Sequence, residues 1–319
     1  VADRNEGTGD PAQAWGLTDD GRRDGSGCQN CTDGHTEGKK ENSGERISRH
    51  HNVPILTQPG ENPLPKVTKI IQSTLIGYDK TNNKRIFVMP KKSDVFLTYV
   101  ENWFDQLPAL PAEKVFQNPE KTAILSVDMI NGFCREGSLA SSRIEGIIPE
   151  IIRLMTSAYE MGVREMLLLQ DCHTPDANEF KAYAPHAVCG SSEAATIDEI
   201  KALPFFDTLT LFTKNSIDAS QNTGLKEWIE AHRQIQTFVL VGNCTDICAF
   251  ELANYLRAHA NAFDLDWRVI VPEACVQTYD LPVATAMEIG AVPHDGDLLH
   301  RLFLHQMYLN GVEVVKSIK

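Results

Sequence analysis

The sequence predicts an α/β fold of three layers, α/β/α, with helices on both faces of a central, mostly parallel sheet. Three observations lead there. From Lys121 onward, short apolar runs alternate with segments of helical spacing, the order that a parallel sheet covered on both faces requires. Gly162, Gly290 and Gly311 fall where helix C-caps are expected. Two of the apolar runs end in a charged residue and a third in a turn that delivers a cysteine; ligands of open parallel sheets bind beyond such carboxyl ends.

Roughly the first sixty residues are rich in Gly, Asp, Glu, Asn and Ser and lack apolar periodicity. They bury too little apolar surface to offset the entropy of ordering and are expected to be disordered, and residues 1–88 as a whole, upstream of the first methionine, a disordered or non-native extension. The sequence begins with Val1, and its first methionine is Met89. A native product starting near Met89 is therefore the expectation; an endogenous peptide from upstream of it would refute that. Asp94 to Leu107 reads as an amphipathic helix, which makes 89–120 the lead-in and 121–319 the main domain. Within the domain, 122–128, 165–171, 208–214, 236–242 and 267–272 read as strands, with a last one at 312–318. Segments 145–161, 222–232, 246–260 and 281–290 have helical spacing.

Composition narrows the function classes. The 319 residues are 42% hydrophobic and 23% charged, enough for a sizeable core. A net charge of -13 argues against a nucleic-acid partner and gives an anionic membrane surface nothing to hold. No apolar run spans a bilayer, and the N-terminus lacks a signal-peptide pattern, so a cytoplasmic setting is expected. Cys134, Cys172, Cys189, Cys244 and Cys275 are expected to be reduced structural thiols. Cys28-Gln29-Asn30-Cys31, with His35 nearby, is a lone C-x-x-C where a structural zinc site needs four ligands, and it is read as incidental.

The most informative stretch is Val239-Leu240-Val241-Gly242-Asn243-Cys244-Thr245-Asp246-Ile247-Cys248, an apolar run that breaks into a turn. Thr245-Asp246 reads as an N-cap, which would place Cys248 in the first turn of a helix, where unpaired N–H groups favour a thiolate. Asp128 and Lys214 end two other strand runs, so Asp128, Lys214 and Cys248 would converge on one sheet edge. Singly, Asp128 could cap a turn and Lys214 could be a solvated strand end. A second constellation follows Gln170-Asp171-Cys172-His173. Asp171 and His173 alternate by two and face the same way on an extended backbone, and Glu179 and His186 follow in the loop. Two imidazoles and a carboxylate suit zinc, iron or manganese. His294, His300 and His305 fit a C-terminal helix without chemistry.

Val127-Asp128-Met129-Ile130-Asn131-Gly132-Phe133, Lys214 and the frame from Gly242 to Cys248 resemble the isochorismatase-like cysteine hydrolases, which include the nicotinamidases. The resemblance runs from about Lys121 to the C-terminus. It implies the isochorismatase-like hydrolase fold and an amide-hydrolysing enzyme, nicotinamidase-like, that works through a Cys248 thioester. Asp128 would be the general base and acid, and Lys214 its partner. The backbone N–H groups of Cys244 and Cys248 would form the oxyanion hole, with the Asn243–Cys244 peptide in cis. Phe133 would wall a flat ring. Asp171, His173, Glu179 and His186 would hold a divalent metal, zinc first and iron or manganese next. Self-association into a homo-oligomer is also implied, with a small-molecule amide as substrate. Amidases for carbamoyl or ureido compounds or for maleamate share the scaffold, and a non-catalytic binding protein retaining the fold is the rival of another class. Two departures bear on the substrate: Gly132 stands where an acidic residue is common, and Asn243-Cys244 fill a pair that is often apolar-Ala.

Overall fold

Alternate residues along the strands feed two separate cores, and that alternation builds the three layers. The structure is a computed structural model that describes residues 91–319 and the backbone of two short strands, Leu75–Asp79 and Lys84–Val88. All of these belong to one compact unit, Leu64–Lys319. Cys28, Cys31, His35, His50, His51 and Met89, with the expectations attached to them, lie outside the described residues.

The central sheet holds β1 (Thr122–Val127), β2 (Glu165–Asp171), β3 (Thr210–Lys214), β4 (Thr237–Asn243), β5 (Arg268–Pro272) and β6 (Glu313–Val315), all parallel. Their spatial order is β6-β5-β4-β1-β2-β3, and Val276–Gln277 pairs alongside the end of β4. The longer helices are α1 (Lys92–Asp105), α2 (Ile148–Glu160), α3 (Leu225–Ala231), α4 (Cys248–Ala262), α5 (Val283–Ile289) and α6 (Gly296–Leu309). Ile124, Leu168, Val239, Val241 and Ile270 enter one core with Ile151, Leu154 and Met155 of α2. Their neighbours Leu125, Val127, Leu169, Leu240 and Val271 enter the other, beneath α3, α4 and α6. Each such side chain contributes about 1.5–3 kcal/mol by leaving water, which is why these strands read as continuous apolar runs. β3 is the exception: it lies at the sheet edge, and of its residues only Lys214 is buried.

The strand order reverses between β1 and β4, which puts the crevice of an open α/β sheet between the loops after these two strands. The two backbones approach closely there. Gly242, at φ 113°, pairs with Val127, and a Cβ on it would lie 2.0 Å from the Val127 carbonyl oxygen. Only glycine fits that position.

Several expectations shift in detail. The 145–161 helix starts at Ile148, after a separate turn Ser142–Glu145, because Pro149 suits the first helical turn. The 312–318 strand divides into Glu313–Val315 in the main sheet and Ser317–Ile318, which pairs with Ala109–Leu110. Within the stretch expected to be a disordered or non-native extension, Leu75–Asp79 and Lys84–Val88 form an antiparallel ladder. Gly162, Gly290 and Gly311 all have positive φ at helix ends. Among the described residues, no helix is long and apolar enough to cross a membrane.

Candidate active site

Strand ends deliver the charged groups. Asp128 directly follows β1 with φ 52°, Asp171 ends β2, Lys214 ends β3, and Cys248 opens α4 just after β4. Asp171 and Lys214 are register partners in adjacent parallel strands, so their side chains leave the sheet side by side. All four residues are buried.

Lys214 holds this cluster together. Its Nζ lies 2.9 Å from Asp128 Oδ2, donates to Asp171 Oδ1, and sits 3.6 Å from Cys248 Sγ. The Asp171 N–H donates to Asp128 Oδ1 at 2.9 Å. Burial lifts the Asp128 carboxyl to about 7; the neighbouring Asp171 charge adds to that and Lys214 opposes it. Burial works against the Lys214 charge, yet Asp128, Asp171 and Cys248 together hold its pKa well above the ordinary lysine range. Burial also pushes the Cys248 thiol well above its usual value, against the pull of Lys214. The helix start alone favours a thiolate; desolvation outweighs it, so the resting sulfur keeps its proton. A buried carboxyl whose pKa sits near neutrality is suited to take that proton during attack.

The Asn243–Cys244 peptide is cis, as the resemblance implies, and Asn243 Nδ2 donates to the Asp128 carbonyl at 2.6 Å. The capping expectation for Thr245 and Asp246 needs correcting. The helix begins at Cys248 with Ile247 in the N-cap position, and both side chains bond elsewhere. Thr245 Oγ1 pairs with His300 Nδ1 at 2.9 Å, and Asp246 Oδ2 lies 2.7 Å from His294 Nε2. The buried imidazoles compete successfully for these oxygens. His294 is not a helix residue: it precedes α6, and its ring stacks on Tyr279 at 3.8 Å between centroids. The side-chain pattern carries no signal that would have joined His294 to the cysteine turn across 48 residues.

Beside this cluster, Asp171, His173 and His186 bring one ligand atom each within 4.8 Å of one another. Asp171 Oδ2 lies 3.6 Å from His173 Nε2 and 3.8 Å from His186 Nε2. The other ring nitrogens are engaged: His173 Nδ1 meets Asn215 Oδ1 at 3.0 Å, and His186 Nδ1 meets the Ala184 carbonyl at 2.8 Å. Such acceptors fix the tautomer that leaves each Nε2 lone pair facing Asp171. His173 Nε2 is fully buried without a hydrogen-bond partner, a state that costs about 1–3 kcal/mol unless a ligand takes it. The residues therefore fit a divalent metal. Glu179 stands at the edge of the set, its Oε1 3.9 Å from His173 Nε2. Asp128, Asp171 and Cys248 also cluster, but Lys214 neutralises that group.

A cavity of 620 Å³ opens over both clusters. Cys248, Cys244 and Asp171 line its floor region together with His186, and Phe133, Tyr183 and Tyr279 supply aromatic surface. The Phe133 ring meets His186 edge-on at 5.5 Å. One expectation about the thiols fails here. Cys172 and Cys189 form a disulfide, because a backbone bridge between His173 and Val188 brings the two ends of the loop carrying His173 and His186 together. Cys134, Cys244 and Cys275 are free and buried, as expected.

Comparison with known proteins bears on this geometry. Residues 122–316 match the family model described as an isochorismatase domain, more than half of the chain. A relative from Arabidopsis thaliana, Nicotinamidase 1, is 29% identical over 242 residues, which covers 68% of this chain and 97% of that protein. The structure of a cysteine hydrolase from Pseudomonas syringae pv. phaseolicola 1448A superposes with a TM-score of 0.51 at 19% identity. That match covers 62% of this chain and 89% of the other, and it supports the shared α/β fold.

Proposed function

We propose, for a chain that belongs to the isochorismatase domain family, a metal-dependent cysteine amidohydrolase that converts nicotinamide and water to nicotinate and ammonia. The single observation that carries this reading is the division of Asp171, one carboxylate oxygen on Lys214 and the other facing His173 and His186. A nucleophile and a metal position that share one carboxylate are built to act on one small substrate. The Arabidopsis relative's name and the aromatic cavity walls favour a planar ring carrying an amide.

In this reading Cys248 Sγ attacks the amide carbon while its proton passes to Asp128. Two N–H groups, of Cys244 and Cys248, receive the negative charge that develops on the carbonyl oxygen. Asp128 then gives the proton to the departing amine, and ammonia leaves a thioester on Cys248. Asp128 next accepts a proton from water as the water attacks that thioester, then returns it to the Cys248 sulfur as the acid product departs, which restores thiol and carboxylate. Lys214 holds the carboxylate in place and keeps the buried charges balanced throughout. Asp171, His173 and His186, with Glu179 beside them, would hold the divalent metal; when bound, it supplies a Lewis acid for a ring nitrogen of the substrate.

Substrate comparison tests the reading. Nicotinamide is expected to exceed benzamide, which lacks the ring nitrogen, by about 100-fold or more in kcat/KM. Equal rates on the two would remove the ring-nitrogen contact, and faster turnover of maleamate or a carbamoyl compound would replace nicotinamide as the substrate.

A further inference from the structure

We propose that the Cys172–Cys189 cystine is a thiol–disulfide exchange site, open to a dithiol reductant, that sets how tightly the loop it closes holds its metal. The inference rests on the metal reading above. The bond joins residues 17 apart, and the segment between them carries His173, Glu179 and His186. Cys172 stands between Asp171 and His173, and Cys189 follows His186 by three. The cystine is therefore the covalent base of a loop whose interior is the ligand set.

Access is selective. Cys189 is exposed and Cys172 half-buried, whereas Cys134, Cys244, Cys248 and Cys275 are all buried. A reductant meets this bond before it meets any other cysteine among the described residues. Outside groups hold the loop through Asn215, Ser138 and Glu193, but ties between its two ends are few. The His173 N–H donates to the Ala187 carbonyl at 3.0 Å and the Cys189 N–H to the His173 carbonyl at 2.9 Å. One short turn, Asn178–Lys181, is the helical structure inside it. Two backbone hydrogen bonds at the loop base contribute little net order by comparison with a covalent closure. With the bond open, His186 samples positions away from Asp171, and the ligands lose part of their preorganisation.

The chemistry balances without a further reagent. One thiolate of the dithiol attacks Cys189 Sγ, the S–S bond breaks, and Cys172 Sγ leaves and takes a proton. The second thiol of the reductant attacks the mixed disulfide, which releases Cys189 as a thiol and the reductant as its own disulfide. The cystine gains two electrons and the dithiol loses two. In a reducing compartment, bonds of this kind are characteristically transient and redox-sensing.

The test uses the full chain purified without reductant. Alkylation and peptide mapping are expected to find Cys172 and Cys189 joined, and phosphine treatment of the native protein should expose these two alone among the cysteines of the described residues. Zn²⁺ affinity is then measured by competition with a chromophoric chelator. It should fall by about tenfold or more in the C172S/C189S double variant. The same fall is expected in phosphine-reduced, iodoacetamide-capped wild type, which carries the test if the double variant does not fold. Zn²⁺ affinity unchanged on opening the bond, or both cysteines alkylated before reduction, would overturn the exchange site and leave the metal reading intact. Failure of the oxidised wild type to bind Zn²⁺ would overturn both.

Discussion

Asp128, Lys214 and Cys248 stand on the ends of β1 and β3 and the start of α4, brought together from distant parts of the chain. His173, Glu179 and His186 instead share one loop after β2. The first group inherits its geometry from the sheet, where register and two packed cores fix the strand ends. The second depends on local ties: a cystine, two backbone hydrogen bonds and the acceptors Asn215 and Ala184. A sheet can position a nucleophile without help, whereas a loop must be closed before it can position a metal. Asp171 ends a strand and opens the loop, so it belongs to both constructions.

That contrast can be broken from either side. Cys248→Ala should strike the sheet-borne half alone: ammonia release falls on the order of 10⁴-fold or more, while bound zinc and the unfolding midpoint stay near wild type. Retained turnover would remove the thioester. Asp171→Asn should reach both halves. Activity is expected to drop by about 10³-fold, zinc binding to weaken, and stability to fall by about 3 kcal/mol, since Lys214 loses a buried charged partner. Loss of zinc without loss of stability would separate the halves. His173→Ala should lower zinc affinity by at least about 100-fold with little change in fold, because the change also deletes an unpaired buried nitrogen. Unchanged metal content would refute the ligand set. His294→Ala sharpens the comparison most finely: Asp246 loses its partner and the cysteine turn loosens, so kcat should fall about tenfold with KM little altered. An unchanged kcat would leave His294 a packing residue.

Most of the sheet was legible because its strands are buried on both faces and therefore read as apolar runs. Asp128 at a strand end, and Cys248 in the turn after β4, followed from the same runs; Lys214 ends β3, an edge strand whose other residues are not buried. Less could be read where contacts are long-range. The pairing of Thr245 with His300 and of Asp246 with His294 links segments about fifty residues apart, and a short polar turn looks the same whether it caps a helix or holds an imidazole. The disulfide likewise depends on a bridge between His173 and Val188 that spacing does not encode. Gly132 becomes intelligible only in three dimensions. Its N–H donates to the Glu193 carbonyl at 2.9 Å, and a Cβ there would come 3.0 Å from the Glu193 Cβ. Glu193 in turn accepts from the Ala187 N–H at 3.0 Å, so this segment occupies the space that a larger residue at position 132 would need.

The central claim is that the sheet-borne nucleophile and the loop-borne metal position act on one amide. Ammonia release from nicotinamide by the purified protein, with a chelator, without it, and after zinc is restored, tests that claim most directly. Release that the chelator abolishes and zinc restores is the result the account predicts. Release from nicotinamide that is indifferent to the chelator, in protein shown to have lost its metal, would contradict it.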